Sequence, residues 1–454
     1  MVADIRPDQA DRVIDLAPSH GTERAVGQRL LFDGFLNHPV QAAAALLLLG
    51  RVARHRFYLP AGMVAAKIAS SDPVVTTCQD QLRFESFSAC CGMALRYDVL
   101  SGGLATRPNT HGSTNIDLTE PTRIALTGIQ GLDPLHLRIT NEIRHAVTFT
   151  TLDHTVTEAK APLPQRWVRG FAEAQAAGAG LVQHAEISSG QARRFWRTLP
   201  RADNGSAQLY VATNGRGLHL TGSATATTIP LGGPSRLRII EPLLKHAHSI
   251  TVYGSRHGLG PGVSLWQLNF PDGILSCALS ATPSRGFSGE GGLLHQLADP
   301  DGIRHADHIG DYLTDHHNGE LLTVAGLTRL GLTNAQVETG LARLAAAGIV
   351  GYDAAQRGYF HRELPWAIDA AQALNPRLVA ANTLVTNATI TSSPTDDIID
   401  IRHGASHHRV RGRGPNATCT CPWIGQHGTS RGPCKHILAA DIVRNQQGWN
   451  RRPP

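Results

Sequence analysis

The chain has 454 residues and a net charge of +6, and at ~150 residues per domain this length predicts about three domains. Hydrophobic residues make up 41% of the chain, which excludes a mostly disordered protein. The longest apolar run, Ala42–Leu49, is too short to cross a bilayer as a helix.

The cysteines and the N-terminal segment predict a cytoplasmic location. The seven cysteines are an odd number at uneven spacing, so they indicate no disulfide framework. The first eighteen residues contain acidic residues and a proline but no apolar stretch of the kind found in secretory signals. We therefore expect reduced cysteines in a reducing compartment.

The positive charge is concentrated at the C-terminal end of the chain. Residues 401–454 contain nine arginine or lysine residues and one acid, Asp441, whereas the first 400 residues have a net charge of −2. A basic segment on a nearly neutral body indicates an anionic partner at that end. The alternative is a solvated tail that only raises solubility.

Residues 1–310 have the mixed pattern of an α+β body, with a division into two subdomains near residues 155–200. Residues 31–69 have the apolar pattern of helices, and from Asp72 onward short strands and helices alternate. The main predicted elements are a strand at Leu82–Phe87, helices at Pro164–Ala177 and Gly190–Leu199, and a hairpin at 208–221 around Asn214-Gly215.

Residues 311–366 form a separate predicted module. A short helix at Thr323–Leu330 precedes a longer one, Asn334–Ala347, for which Thr333 is the expected N-cap and Gly348 the expected C-cap. Two short strands follow, at 349–352 and 358–361, so the order of elements resembles a winged helix. The charges of residues 319–365 sum to zero and the longer helix has one arginine, which favours a structural or protein-docking role over DNA contact.

The strongest chemical signal is Cys419-Thr420-Cys421 followed, after twelve residues, by Cys434-Lys435-His436. Structural zinc sites take four nitrogen or sulfur ligands in a tetrahedron, and two close pairs joined by a loop supply them. A strand over Ala417–Cys421 directs both of its sulfurs to one face. A helix over Lys435–Val443 places Cys434 at its entrance and His436 in its first turn, where backbone N–H groups favour a thiolate.

Two alternatives to this ligand set remain open at the level of sequence. His427 lies in the connecting loop and could replace His436 as the fourth ligand. A disulfide between two of the three cysteines is disfavoured without a secretory route.

The segment 394–446 resembles the SWIM zinc finger, a β-hairpin–helix fold with the pattern Cys-x-Cys, a loop, and Cys-x-His. The match falls on Cys419, Cys421, Cys434 and His436, and the predicted hairpin at Ile398–Arg402 and His407–Arg411 precedes it. The resemblance implies Zn²⁺ as cofactor and DNA, RNA or protein as partner. The layout is similar to stand-alone actinobacterial SWIM proteins, which accompany AAA+ ATPases and von Willebrand A proteins.

Other candidate sites have simpler interpretations. Cys90-Cys91 lies among apolar residues and is expected in the core. The chain has no phosphate-binding loop, Gly-x-Ser-x-Gly or His-Glu-x-x-His motif. A further group has helical spacing but is more typical of surface residues; it comprises His305, His308, Asp311, Asp315 and His316.

The sequence therefore predicts a multidomain α+β protein, not an enzyme, that binds nucleic acid through its C-terminal zinc finger. The alternative is a protein–protein adaptor subunit of an AAA+ ATPase-associated assembly that does not contact nucleic acid. Arg444 is expected to add to the positive surface. The residues expected to contact nucleic acid are Arg402, Arg409, Arg411, Arg413, Arg431 and Lys435.

Overall fold

A computed structural model of the chain shows two compact units. Unit 1 comprises Met1–Gly170, Ala177–Phe287 and Arg362–Leu364, and unit 2 comprises Phe171–Ala176, Ser288–His361 and Pro365–Pro454. The structure describes residues 29–58, 73–78, 80–161, 163, 165–203, 208–256, 262–287, 291–315, 321–362, 364, 375–393, 397–428 and 431–447.

Unit 1 is built on an eight-stranded antiparallel sheet in the order β5-β2-β3-β4-β15-β14-β13-β9. Strand β4 pairs with β15 in a register that joins Val99 to Gly273 and Met93 to Leu279. The strands are β2 (Val74–Thr77), β3 (Leu82–Phe87), β4 (Met93–Val99), β5 (Gly112–Asn115), β9 (Leu181–Ser188), β13 (Ser249–Ser255), β14 (Ser264–Phe270) and β15 (Gly273–Leu279).

The prediction of helices over residues 31–69 is wrong for the first residues of that range. Residues Leu30–Phe35 form strand β1, which pairs with the strand at His136–Thr140, and helix α1 (Pro39–Arg54) begins only at the proline. Proline fixes φ and fits the first turn of a helix, where its missing N–H costs nothing. The Ala/Leu face of α1 is buried against β3 and β4, and the second predicted helix, at 61–69, lies outside the described residues.

The remaining sheets of unit 1 are smaller. One has the order β1-β6-β7-β8 and another the order β11-β10-β12. Their other members are β6 (His136–Thr140), β7 (Val147–Thr150), β8 (Thr155–Glu158), β10 (Leu209–Asn214), β11 (Gly217–Thr221) and β12 (Ile229–Leu231). The other helices in this part of the chain are α2 (Glu120–Thr127), α3 (Gln165–Ala179), α4 (Ser189–Thr198) and two 3-10 helices, at Ser101–Gly103 and Pro234–Lys245.

Charged side chains are buried in the large sheet of unit 1. Arg83 on β3 bonds Asp98 on β4 at 3.2 Å, and Arg362 bonds Glu85 at 2.6 Å. Both arginine side chains are fully buried. Burial lowers the pKa of Arg362, and the nearby Glu85 carboxylate opposes that change. Each charge is therefore retained in the interior by an opposite charge in contact with it.

The first part of unit 2 contains the elements predicted for 311–366. Helices α5 (Leu294–Leu297), α6 (Gly302–Asp315), α7 (Val324–Leu327) and α8 (Asn334–Ala346) precede strands β16 (Val350–Asp353) and β17 (Gly358–His361). Thr333 and Gln336 form a capping box at the start of α8, and Gly348 is left-handed with a φ of 76°. The last half of α8 is buried, including Arg343, which donates to the carbonyls of Leu297 and Asp299.

The second part of unit 2 is a small antiparallel sheet with helices. Its strand order is β18-β19-β20-β21. The elements are β18 (Thr389–Ser393), β19 (Ile398–His403), β20 (Ser406–Arg411), β21 (Thr418–Cys419), α9 (Pro376–Asn387), α10 (Pro422–His427) and α11 (Lys435–Gln446). Among the described helices, none has both the length and the apolar character needed to span a membrane.

The buried pair Arg362–Glu85 gives a test of unit 1. Replacing Arg362 by methionine leaves Glu85 buried without its partner, and we expect this to destabilise unit 1 by about 3–5 kcal/mol. The double variant Arg362→Met with Glu85→Met removes both charges and should recover most of that loss. Hydrogen exchange of the amides in β3 and β4 measures the effect within unit 1, and equal exchange in the single variant and the wild type would contradict it.

Candidate metal centre

The register of the small sheet places the first predicted ligand. Val410 on β20 is paired with Cys419 on β21, which directs the Cys419 side chain to the side of the sheet that carries Val410. Thr420 fixes this register, because its N–H donates to the Arg409 carbonyl at 3.1 Å and its Oγ1 accepts from the Arg409 N–H at 3.0 Å. Cys419 is consequently held rigidly at the edge of the sheet.

Cys421 reaches the centre in a different way from the one predicted. The strand ends at Cys419, and Cys421 is the N-cap of α10, with Pro422 at the first helical position. The prediction of a continuous strand over Ala417–Cys421 is therefore wrong. Proline has no N–H to donate and its φ suits a helix start, so Pro422 ends the strand and begins the turn of helix.

Cys434 and His436 lie where the sequence predicts, at the start of α11. Cys434 is the N-cap, and its sulfur accepts from the Ile437 N–H at 3.4 Å. His436 is in the first turn of the helix and is buried. Backbone N–H groups at a helix start favour negative charge, so the second and third cysteines both lie at positions suited to thiolates.

The four side chains meet at one point. The potential ligand atoms of Cys419, Cys421, Cys434 and His436 all lie within 4.8 Å of one another, and all four residues are buried. A tetrahedral zinc ion with bonds of about 2.3 Å holds sulfurs about 3.8 Å apart, so a contraction of at most about 1 Å between any two ligand atoms completes the shell. Three thiols and an imidazole are the donor set of structural zinc sites, and the cluster fits this metal.

The electrostatics of the cluster show why it requires a cation. A hydrogen bond with Cys434, together with burial, raises the pKa of Cys419 above its ordinary range. Burial raises the pKa of Cys421. The hydrogen bond from Cys419 lowers the pKa of Cys434 to about 4, so one thiolate is stabilised by a neighbouring thiol. Ionisation of all three at one point needs a bound positive charge.

Sequence reasoning did not identify the residues that surround the ligands. The His408 ring packs on the His436 ring with centroids 4.3 Å apart. Arg377 of α9 donates to the carbonyls of Arg431 and Pro433 and lies 4.9 Å from the Trp423 ring. These contacts join α9 to the loop between the two cysteine pairs. Arg377 lies outside the zinc-finger pattern in the sequence, so no sequence motif marks it.

Helix α11 is enclosed along its length. All residues from His436 to Arg444 are buried, and the helix packs against α9, β20 and α5. Asp441 accepts from His295 of α5 at 2.8 Å. Arg444 is 1% exposed and donates to the carbonyls of Gly412 and Asp397, so the expectation that Arg444 adds to the positive surface is wrong.

The other candidate ligands lie apart from this group. His427 ends α10 and packs edge-on against Trp423 with centroids 4.6 Å apart. The metal-ligand group that the described residues form includes His436 and not His427. Cys90 and Cys91 are free cysteines. Of the group with helical spacing, His305 is buried in α6, and His316 lies outside the described residues.

The six predicted nucleic-acid contacts fall into two sets. Arg402, Arg409 and Arg411 lie at alternate positions of β19 and β20 and are exposed. The other three lie elsewhere: Arg413 donates to Asp397 at 2.8 Å, Arg431 lies 5.5 Å from the Trp423 ring, and Lys435 is exposed at the start of α11. The sheet brings together the first set only.

Removal of a single ligand tests the metal centre. We expect the intact protein to bind one equivalent of zinc, and Cys434→Ser to lose it, because three remaining ligands bind the ion much more weakly. Elemental analysis of the purified protein measures zinc directly. Hydrogen exchange of α11 should rise in the same variant, because zinc binding in small domains contributes about 10–16 kcal/mol of apparent free energy.

Cys90→Ser is the matched control for this test. Cys90 is a free cysteine of unit 1, so this variant should keep its zinc and the exchange pattern of α11. Retention of stoichiometric zinc by Cys434→Ser would refute the assignment of the centre.

Comparison with known proteins agrees with the geometry of the site. No curated protein matches the chain. Residues 408–441, which include all four side chains of the cluster, match the family model of the SWIM zinc finger. This segment of the chain is therefore a SWIM zinc finger.

Proposed function

We propose that the protein binds nucleic acid through the outer face of the small sheet in its zinc finger. The observation that supports this most directly is the placement of Arg402, Arg409 and Arg411. In a strand, alternate side chains share a face, and the register pairs Arg402 with His407 and Asp400 with Arg409. The three arginines consequently form one exposed basic surface, here called the arginine face.

The opposite face of the same sheet has a different character. Ile399, Ile401 and Val410 are buried there, on the side that meets α11. The arginines therefore lie on a rigid surface whose back is packed, which keeps their spacing constant. Phosphate contacts by arginine supply most of the affinity of sequence-independent nucleic-acid binding.

One acidic residue reduces the charge of the arginine face. Asp400 accepts two hydrogen bonds from Arg409, both at 3.0 Å, and one from His407 at 2.9 Å. The hydrogen bonds from Arg409 hold the pKa of Asp400 below its ordinary value. The carboxylate therefore stays ionised at neutral pH and competes with phosphate for Arg409. Arg402 and Arg411 have no ion pair with a carboxylate among the described residues.

The metal supports this surface and has no catalytic role in our proposal. Four protein ligands fill a tetrahedral zinc ion and leave no position for a reactive water. The residues that would hold the ion also fix β21, α10 and α11 relative to β20. On this basis we propose that the protein is not an enzyme and that zinc binding determines whether the arginine face is formed.

We also propose a winged-helix arrangement for the module predicted at residues 311–366, with a structural or protein-docking role. Leu322 bridges Tyr359 in antiparallel fashion beside the hairpin β16–β17, as in the small sheet of a winged helix. The only arginine of α8, Arg343, is buried and bonded to carbonyls, so it is not available to phosphate. This favours a contribution to a protein adaptor, the second candidate function, over DNA recognition by α8.

Loss of two arginines tests the proposal. The double variant Arg402→Ala with Arg411→Ala should lower affinity for duplex or single-stranded DNA. The slope of log affinity against log salt should fall by about 2, because each lost phosphate contact lowers it by about 1. Fluorescence anisotropy with a labelled oligonucleotide at several salt concentrations measures both quantities.

Arg216→Ala is the control for general loss of positive charge, because Arg216 is an exposed hairpin arginine of unit 1. It should leave affinity and salt slope unchanged. An unchanged slope in the double variant would reject the arginine face. A protein complex that survives high salt and nuclease would then support the adaptor function.

Removal of the competing carboxylate gives a prediction of the opposite sign. Asp400→Asn should raise nucleic-acid affinity by about tenfold, since it releases Arg409 and removes a negative charge from the surface. The salt slope should become steeper by about 1. The same anisotropy titration measures the affinity and the salt slope. A decrease in affinity would show that Arg409 does not bind the phosphates of the nucleic acid.

A further inference from the structure

A cavity lies beside the metal centre on the opposite side of the small sheet from the arginine face. It has a volume of about 400 Å³, within the range of about 300–1,000 Å³ that ligand sites have. Its apolar lining comes from Ala380 and Leu384 of α9, Ile401 of β19, and Pro422 and Trp423 of α10. It is formed entirely within unit 2.

Three residues of the metal centre, Cys421, Cys434 and His436, line one side of this cavity, and the other polar residues that line it are basic or neutral. Lys435 is exposed at its edge and Arg377 lines it, together with His403 and His408. None of the described residues that line the cavity is an aspartate or glutamate. A ligand with an apolar group and adjacent negative charge is therefore complementary to both parts of the site.

The aromatic ring in the cavity is already in contact with two guanidinium groups. Trp423 is the only tryptophan, tyrosine or phenylalanine among the described lining residues. The guanidinium groups of Arg377 and Arg431 lie over its ring at 4.9 Å and 5.5 Å. Single-stranded nucleic acids bind through open aromatic faces, so this arrangement favours an aliphatic side chain over a base.

The cavity is also separated from the arginine face by the sheet itself. Ile401 and His403 alternate along β19 with Asp400 and Arg402, so the two sets of side chains lie on opposite faces. A nucleic acid on the arginine face does not contact the cavity. The two surfaces are therefore accessible to different ligands.

We infer that this cavity, between α9 and the metal centre, docks an acidic segment of a partner protein through a bulky aliphatic side chain. The aliphatic group occupies the space between Leu384, Ile401 and Trp423. Carboxylates that flank it in the partner lie at Lys435 and Arg377. This inference is independent of nucleic-acid binding at the arginine face, because it uses none of the same side chains.

A displayed library of random peptides tests the inference on the full zinc-loaded protein. Peptides are selected for binding to the wild type and against binding to Ala380→Phe, which fills the cavity from α9. We expect the selected peptides to share a leucine, isoleucine or methionine flanked by aspartate or glutamate. Failure to select any peptide, or selection of basic ones, would overturn the inference.

Matched variants then assign the binding to this cavity. Fluorescence anisotropy with a selected, labelled peptide should show binding weakened by about tenfold or more in Ala380→Phe, since burial of one aliphatic side chain accounts for a factor of that order. Val379→Phe is the control, because Val379 is the neighbouring exposed residue of α9 and does not line the cavity. Lys435→Gln should weaken peptide binding by less than Ala380→Phe does. The affinity that remains should depend less on salt concentration than the affinity of the wild type does. Equal weakening by Val379→Phe would overturn the inference.

Two further measurements separate other ligands from the proposed one. Oligothymidylate should not displace the peptide, and displacement would show that the cavity belongs to the nucleic-acid surface. Selected peptides rich in cysteine or histidine that remove zinc would show metal capture in place of docking. Arg402→Ala with Arg411→Ala should leave peptide binding unchanged, so the two proposals can fail separately.

Discussion

The structure of the C-terminal part of unit 2 depends on the convergence of three thiols and an imidazole on one buried point. Such a group is unfavourable without a cation, because burial raises the pKa of Cys421 and the hydrogen bond with Cys434 raises that of Cys419. A divalent ion removes this cost by replacing the protons. It also joins the sheet edge at β21 to the starts of α10 and α11.

The zinc finger is part of the hydrophobic interior of its unit. Helix α11 is buried on nearly every side, by the sheet, by α9 and by α5. Asp441 bonds His295, and Arg444 bonds the backbone carbonyls of Asp397, just before β19, and Gly412, just after β20. Residues outside the sequence motif therefore determine the position of the helix. This explains why Asp441 and Arg444 of α11 face inward although the segment as a whole is basic.

The sequence predicts well those features that local chemistry determines. The hairpin at 398–411, the Thr333 cap and the helix that begins after Cys434 agree with the structure because turn glycines, capping side chains and short ligand spacings act over a few residues. The resemblance to the SWIM pattern added the fold of the finger.

Features that depend on distant partners were missed. Strand β1 forms because β6, more than a hundred residues later, pairs with it, and the pairing of β4 with β15 has no local signal in the sequence. The predicted strand position of Cys421 was wrong because Pro422 ends the strand and begins a helix.

The two faces of the small sheet follow from the period of two along β19 and β20. Odd positions from Ile399 to His403 face α11 and the cavity, and even positions carry Asp400 and Arg402 outward. A shift in register by one residue would exchange these faces and bury the arginines. Thr420 fixes the pairing of β21 with β20 through its two bonds to Arg409, and it lies between two ligand cysteines. Metal binding and the pairing of β21 with the arginine-bearing strand β20 therefore depend on the same short segment.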